Sequence, residues 1–314
     1  MSEDITAVRK HRNKWTPNAR QLFLMASFGL LFLLVFAYAP MFGVVLAFKQ
    51  GDYTLSIVDA IFKTPFAGLD NFKAFLTDPE FFNVMLNTLG LNLLSLVISF
   101  PAPIIFAILL NELPSVRFRK AVQTISYLPY FLSWVVFGGI VLSMLDTRSG
   151  IVNYFLVNTG LVNEAINFGQ EQYFWGIIII TNLLKGLGWG SIIYFAAITG
   201  IDPQLYESAT MDGANRWHRI RYITVPCIAP TIVVFFILSI SGILNNGFDQ
   251  IWVFQNQTNL ARSEVLDTLV YKYGVQNLRY SYTTAVGLFK SILAMLLLWG
   301  SNFVCKKITG EGLI

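Results

Sequence analysis

Residues 22–48 run without one charged side chain, and that stretch limits the fold more than any other feature of the chain. Hydrocarbon offers no water to a free backbone N–H or C=O, so a run of this length crosses as a helix that closes its own hydrogen bonds. It follows a basic head of Arg9, Lys10, Arg12, Lys14 and Arg20. The run is too long for the core of a cleavable leader, and no small-residue cleavage site follows it, so it reads as a retained first span.

Five more apolar runs follow, at residues 84–110, 121–145, 174–198, 223–243 and 284–304. Composition agrees: 55% of the chain is apolar and 13% is charged, where a soluble domain carries roughly 25% charge. The expected fold is an all-α membrane protein with six transmembrane helices. Basic residues orient it. Arg117, Arg119 and Lys120, then Arg216, Arg219 and Arg221, then Lys306 and Lys307 fall on the side of the basic head, while most acids fall on the other. Both termini are therefore expected in the cytoplasm. Residues 1–20 form a basic cytoplasmic arm, 21–305 the membrane domain and 306–314 a cytoplasmic tail.

Prolines mark the spans. Pro40 and Gly43 are expected to kink the first, Pro101 and Pro103 lie in the second, and Pro129 lies inside the third beside a close-packing Gly138-Gly139 pair. The outer segment 49–83 is rich in phenylalanine, including Phe66, Phe72, Phe75, Phe81 and Phe82, which suggests short helices at the interface. Cys227 and Cys305 fall near cytoplasmic ends of spans and offer neither a disulfide framework nor a metal spacing. The net charge of +4 is a matter of distribution across the membrane and gives no reason to expect nucleic acid.

The most polar run in the interior is 206–226, YESATMDGANRWHRIRYITVP, held between two spans. Asp202 is a plausible N-cap with Pro203 at the first helical position. Gly213 permits a break, Arg216, Arg219 and Arg221 make the second half basic, and Pro226 marks the entrance of the fifth span. The pattern predicts a short helix, a glycine break and a second short helix across the cytoplasmic end of the bundle. On composition alone it is a solvated loop whose cations enforce topology.

Its residues say more. Glu207-Ser208-Ala209, Asp212-Gly213-Ala214 and Val225-Pro226 keep the order and spacing of the cytoplasmic motif of permease subunits of binding-protein-dependent ABC importers, which this chain resembles from about residue 20 onward. Ser208 replaces a small alanine and Val225 a leucine, both mild departures. The carbohydrate branch is the nearer likeness, carried by Asn71-Phe72 through Pro79, by FPAPIIFAILLNEL at 100–113, SYLPYFLSWVV at 126–136, SYTTAVGLFKSI at 281–292 and GEGL at 310–313. The resemblance implies a type I permease fold in a bacterial cytoplasmic membrane. It also implies a second homologous permease, most often different from this one, two ABC ATPase subunits and an extracytoplasmic solute-binding protein. Residues 203–214 would be the coupling helix, with Tyr206, Glu207, Ala209, Asp212, Gly213, Arg216 and Pro226 as the ATPase-coupling residues. ATP and magnesium would sit on the partner ATPases, because this chain has no GxxxxGK[ST] run. No cofactor or metal is expected on the chain itself, and no catalytic residue.

Polar groups inside spans are costly and are candidates for a substrate path. They are Asn182, Lys185 and Trp189 in the fourth span, Asn245, Asn246, Asp249 and Trp252 beyond the fifth, and Lys290 in the sixth; Asn87 and Asn92 in the second are further polar positions. Amides and aromatic rings together suit a sugar, although a lone Asn in a span is more often helix-to-helix glue. If Lys185 and Lys290 both faced a pore, an acidic saccharide would fit; the alternative is that one of them is a salt-bridge partner. The competing readings are an importer of a peptide or other small polar solute, and a stand-alone secondary carrier, which would not need the 206–226 motif. A membrane enzyme would want a cluster of histidine or carboxylate, yet His11 and His218 are the only histidines.

Overall fold

The computed structural model describes residues 17–50 and 56–309; Arg9, Lys10, Arg12, Lys14 and the tail from residue 310 lie outside them. All regular structure among the described residues is helical apart from an isolated bridge between Lys49 and Phe66. The elements are α1 (Asn18–Phe48), α2 (Ile57–Lys63), α3 (Asp70–Leu76), α4 (Phe81–Asn111), α5 (Val116–Phe131), α6 (Trp134–Met144) and α7 (Ile151–Asn158). They continue as α8 (Glu171–Thr199), α9 (Pro203–Met211), α10 (Arg216–Ser241), α11 (Phe248–Phe254), α12 (Leu260–Ser263), α13 (Leu266–Val270) and α14 (Tyr280–Thr309). Five of them, α1, α4, α8, α10 and α14, are long and apolar enough to cross a membrane, and α5 with α6 gives a sixth if that bent pair counts as one span.

The third run is not the single helix expected over 121–145. The chain bends by 102° between α5 and α6. Pro129 brings no N–H to the ladder, Leu132 is extended (φ −74°, ψ 141°), and Ser133 starts α6 by accepting from the Val136 N–H at 3.2 Å. A break inside a membrane strands carbonyls. Here Lys185, reaching from the middle of α8, donates to the carbonyls of Pro129 (3.1 Å), Tyr130 (2.8 Å) and Leu132. An ammonium has three donors, and all three are used. Its charge lies at the negative end of α5 and over the rings of Tyr130 and Trp134, 5.5 and 5.3 Å from their centroids. Lys185 is 7% exposed.

Prolines elsewhere are absorbed without a break. Pro40 and Pro226 each follow a π turn, Leu34–Tyr38 and Ile220–Thr224, closed by Ala39 N–H to Leu34 O and Val225 N–H to Ile220 O. The wider turn takes up the carbonyl pattern that a proline disturbs and keeps the helix going.

Helices in lipid gain little from hydrophobicity and associate through close contact, so small residues mark the interfaces. A Cβ on Gly188 of α8 would stand 2.2 Å from the Ser126 carbonyl oxygen of α5, and one on Gly90 of α4 would stand 2.3 Å from the Trp175 ring. Ile104, Ala107, Tyr194, Ile198 and Ile228 form an apolar cluster near the end of the bundle that carries 202–226. At the opposite end, α11 to α13 fold back over the spans and fill two clusters. Phe75, Leu244, Leu266 and Tyr282 belong to one, and Leu91, Phe174, Ile251 and Val265 to the other. By contrast α1 joins the bundle only at its far end, where Leu46 and Ala47 are buried; none of residues 18–45 is.

Two outcomes follow for the detergent-solubilised protein. Lys185→Met should lower unfolding stability by about 2–4 kcal/mol, since it leaves carbonyls of the α5–α6 break unpaired; thermal unfolding of the purified chain checks this. Gly188→Ala should cost about 1–3 kcal/mol by forcing α5 off α8. Gly186→Ala, whose nearest neighbour would be 3.8 Å away, should be close to neutral in the same assay.

Candidate functional site

The element at 202–226 is built as a rigid elbow. Asp202 Oδ1 accepts the Gln204 N–H at 3.0 Å and Pro203 opens α9. The helix ends in a Schellman turn. Ala214 N–H bonds to Ala209 O at 2.9 Å and Gly213 N–H to Thr210 O at 3.1 Å, with Gly213 at φ +79°. Asn215 then caps the next helix, its Oδ1 accepting from the His218 N–H at 2.9 Å. That second helix is not a separate piece. It is the first part of α10, which runs from Arg216 through Pro226 as one helix to Ser241, so Pro226 lies inside a helix that starts ten residues earlier. The Asn215 cap starts the helix early, and the π turn lets the proline in.

The elbow has two faces. On the inner one Tyr206 Oη and Thr224 Oγ1 are 2.9 Å apart, and Arg219 Nη1 donates to Thr210 Oγ1 at 3.2 Å. Arg216 Nε stands 4.0 Å from a Glu112 oxygen and ties the elbow to the turn after α4. On the outer face Glu207 is exposed and makes no side-chain hydrogen bond or ion pair among the described residues, and Met211, one turn on, is 88% exposed. Ala209, Asp212 and Gly213 line a shallow groove with His218 and Tyr222. A free carboxylate and an apolar knob thus stand on a helix that is joined to α10 through Tyr206–Thr224 and Arg219–Thr210.

The expected path residues fall into two groups. Asn182 lines a cavity of about 440 Å³ among α4, α8 and α10, together with Asn92, Ser95, Tyr194 and Ser239, its Nδ2 3.5 Å from Ser95 Oγ. Trp189, farther along α8, stacks on Tyr130 with centroids 4.5 Å apart and planes at 4°. Lys185 is beside that pair, with its protons committed to backbone carbonyls.

The second group gathers at the end opposite the elbow. Asn245 and Asp249 are exposed, while Trp252 rests on Phe248 and Tyr271 at 5.4 and 4.9 Å between centroids. Lys290 pairs with Asp267, whose other oxygen accepts the Asn246 N–H at 2.9 Å; Asn246 Nδ2 reaches Thr88 O at 3.3 Å. Asn87 is glue, donating to Ala261 O and Glu264 O at 3.0 Å each. Glu264 in turn holds Lys272. Burial pushes the nearby Tyr273 hydroxyl above its ordinary range, with the charges of Glu80 and Asp78 adding to it. No group of three His, Cys, Asp or Glu side chains able to hold a metal is present among the described residues. The sequence reading missed Asn215, whose place before a basic run was a legible capping signal. It also missed Asp267, Glu112 and Thr224, which carry no local pattern.

Comparison with known proteins accounts for this architecture. Residues 99–309 match the family model described as binding-protein-dependent transport system inner membrane component. The chain is 40% identical over 295 residues to the polygalacturonan/rhamnogalacturonan transport system permease protein YteP of Bacillus subtilis, covering 94% of this chain and 90% of that one. It is 39% identical over 303 residues to protein LplB of the same organism, covering 96% and 92%. Among solved structures, a chain of a bacterial alginate ABC transporter in complex with alginate pentasaccharide-bound periplasmic protein superposes with a TM-score of 0.85 at 37% identity, over 94% of this chain and 97% of that one. An all-α, multi-span fold, a family match over most of the chain and relatives near 40% identity agree: the chain belongs to the binding-protein-dependent transport system inner membrane components, the permease subunits of ABC importers.

Proposed function

We propose that this chain is one half of the pore of an ATP-driven importer that passes an oligosaccharide from an extracytoplasmic binding protein into the cytoplasm. The observation that carries the reading is the braced elbow at 202–226 with Glu207 and Met211 turned away from the bundle. Such a surface suits a groove on a partner ATPase, and α9 is the coupling helix. Tyr206, Ala209, Asp212, Gly213, Arg216 and Pro226 shape and brace it. The bent pair α5–α6 counts as one span, so six spans leave both termini and the elbow in the cytoplasm, in keeping with the placement of Lys and Arg. Two ATPases, which bind ATP and magnesium, and a second, different permease complete the assembly.

A saccharide is favoured because relatives named for polygalacturonan/rhamnogalacturonan transport and an importer of alginate share most of this chain's length. The groups offered to it are amides, aromatic rings and one carboxylate: Asn182 with the cavity, Trp189 on Tyr130, and Asn245, Asn246, Asp249 and Trp252 at the outer end. Lys185 and Lys290 serve as structural groups, because the first is spent on carbonyls and the second on Asp267. Any selectivity for acidic sugars therefore lies outside these two cations.

The test is assembly and activity of the reconstituted importer. Glu207→Ala and Met211→Asp should each weaken retention of the ATPase by about tenfold while leaving the permease folded. Gly213→Pro should keep the spans but abolish ATPase stimulation by saccharide-loaded binding protein, since proline can neither adopt φ +79° nor donate to Thr210 O. Wild-type levels of both readouts in all three variants would remove the coupling role of α9.

A further inference from the structure

The short helix after the first span is pinned at a definite depth. Lys49 ends the uncharged run of α1, and the chain around it is bonded to residues 61–71. Gln50 N–H donates to Pro65 O at 3.0 Å and Ala67 N–H to Phe48 O at 2.8 Å. Asn71 Nδ2 donates to Ala47 O and Lys49 O, both at 3.0 Å, and the Lys49 ammonium bonds to the carbonyls of Ile61 and Thr64. Residues 57–69 are thus held level with the point where α1 leaves hydrocarbon.

At that level α2 shows three different faces. Ala60, 5% exposed, points into the protein. Asp59 and Lys63 pair at 2.8 Å on a second face. Val58 and Phe62, one turn apart, are 63% and 80% exposed on the third, and Phe66 and Leu69 add exposures of 75% and 67% just beyond. Four large apolar side chains in water next to a membrane are unfavourable at roughly 25 cal/mol per Å².

We infer that Val58, Phe62, Phe66 and Leu69 form a wedge inserted at the boundary between headgroups and acyl chains, in the leaflet remote from the 202–226 elbow, and that what covers it is lipid. The wedge continues the uncovered apolar surface of α1, of which none of residues 18–45 is buried. Two flanking cations are engaged, Lys49 on carbonyls and Lys63 on Asp59, while Lys73, one turn beyond Leu69, is exposed and suits the headgroup level above the wedge. It works as a depth stop: an amphipathic element lying in the interface fixes the end of a span that few contacts within this chain hold. The inference needs α1 to cross the membrane and does not depend on the cargo.

The test is site-directed spin labelling of the full chain in its assembled importer, reconstituted into vesicles of phosphatidylethanolamine and phosphatidylglycerol. Cys227 and Cys305 are first replaced by serine, and a nitroxide is placed at Val58→Cys, Phe62→Cys, Phe66→Cys or, as the contrast, Lys63→Cys. Collisions with oxygen should exceed those with a water-soluble nickel chelate at the three wedge positions, and the order should reverse at position 63. The same order should hold in phosphatidylcholine vesicles. Nickel collisions dominating at 62 and 66 would put the wedge in water, and suppression of both reagents there would mean that a protein covers it; either result overturns the inference.

Discussion

The structure depends on one requirement: every backbone polar group inside hydrocarbon needs a partner. Long helices meet it by themselves. The single sharp break within a candidate span meets it with a side chain, through the Lys185 ammonium on the carbonyls of Pro129, Tyr130 and Leu132. An unpaired ammonium at that depth would be costly, and so would the bare carbonyls; each removes the other's penalty. The bend of 102° that results swings α6 toward α11, and it leaves Tyr130 stacked on Trp189. A residue that looks like a substrate ligand is thereby the support of the aromatic pair beside it.

The two ends of the bundle are built for different work. At one end the elbow is short, capped at both of its helix starts and joined to α10 by side-chain bonds, with little apolar packing around it, a build that suits the coupling role proposed for it. At the other end α11 to α13 are buried against the spans by apolar clusters and by Asn87, Thr88, Gln250 and Asp267, so that segment holds a fixed shape. A permease that rocks between two orientations needs both properties: a stiff handle and domains that move without deforming. The cavity around Asn182 lies between them.

The spans were legible in the sequence because an uncharged run long enough to cross has few other solutions, and all the long helices fall where those runs lie. The glycine turn at 213 was legible too, since a helix that must end and reverse wants φ > 0 there. What the sequence hid was long-range. Lys185 and the carbonyls it caps are 53 to 56 residues apart, so a lone lysine in an apolar run was open to two readings, a pore-facing cation or one half of an ion pair. Lys290 read the same way because Asp267 sits in a different segment, 23 residues off. The continuity of α10 was hidden for another reason. The second short helix after the glycine turn was expected, but Pro226 reads as the start of a new helix, and only the π turn Ile220–Thr224 carries the backbone through it as one helix from Arg216 to Ser241.

The central claim is that ATP, acting through partners at the elbow, drives a saccharide through this chain. Uptake of labelled oligogalacturonate into proteoliposomes holding the assembled importer tests it most directly, with ATP or an ion gradient supplied separately. Uptake that requires both ATP on the elbow side and the binding protein on the other, and that ignores the ion gradient, is the predicted result. Uptake by this chain alone, driven by an ion gradient without ATP, would make it a secondary carrier and contradict the account.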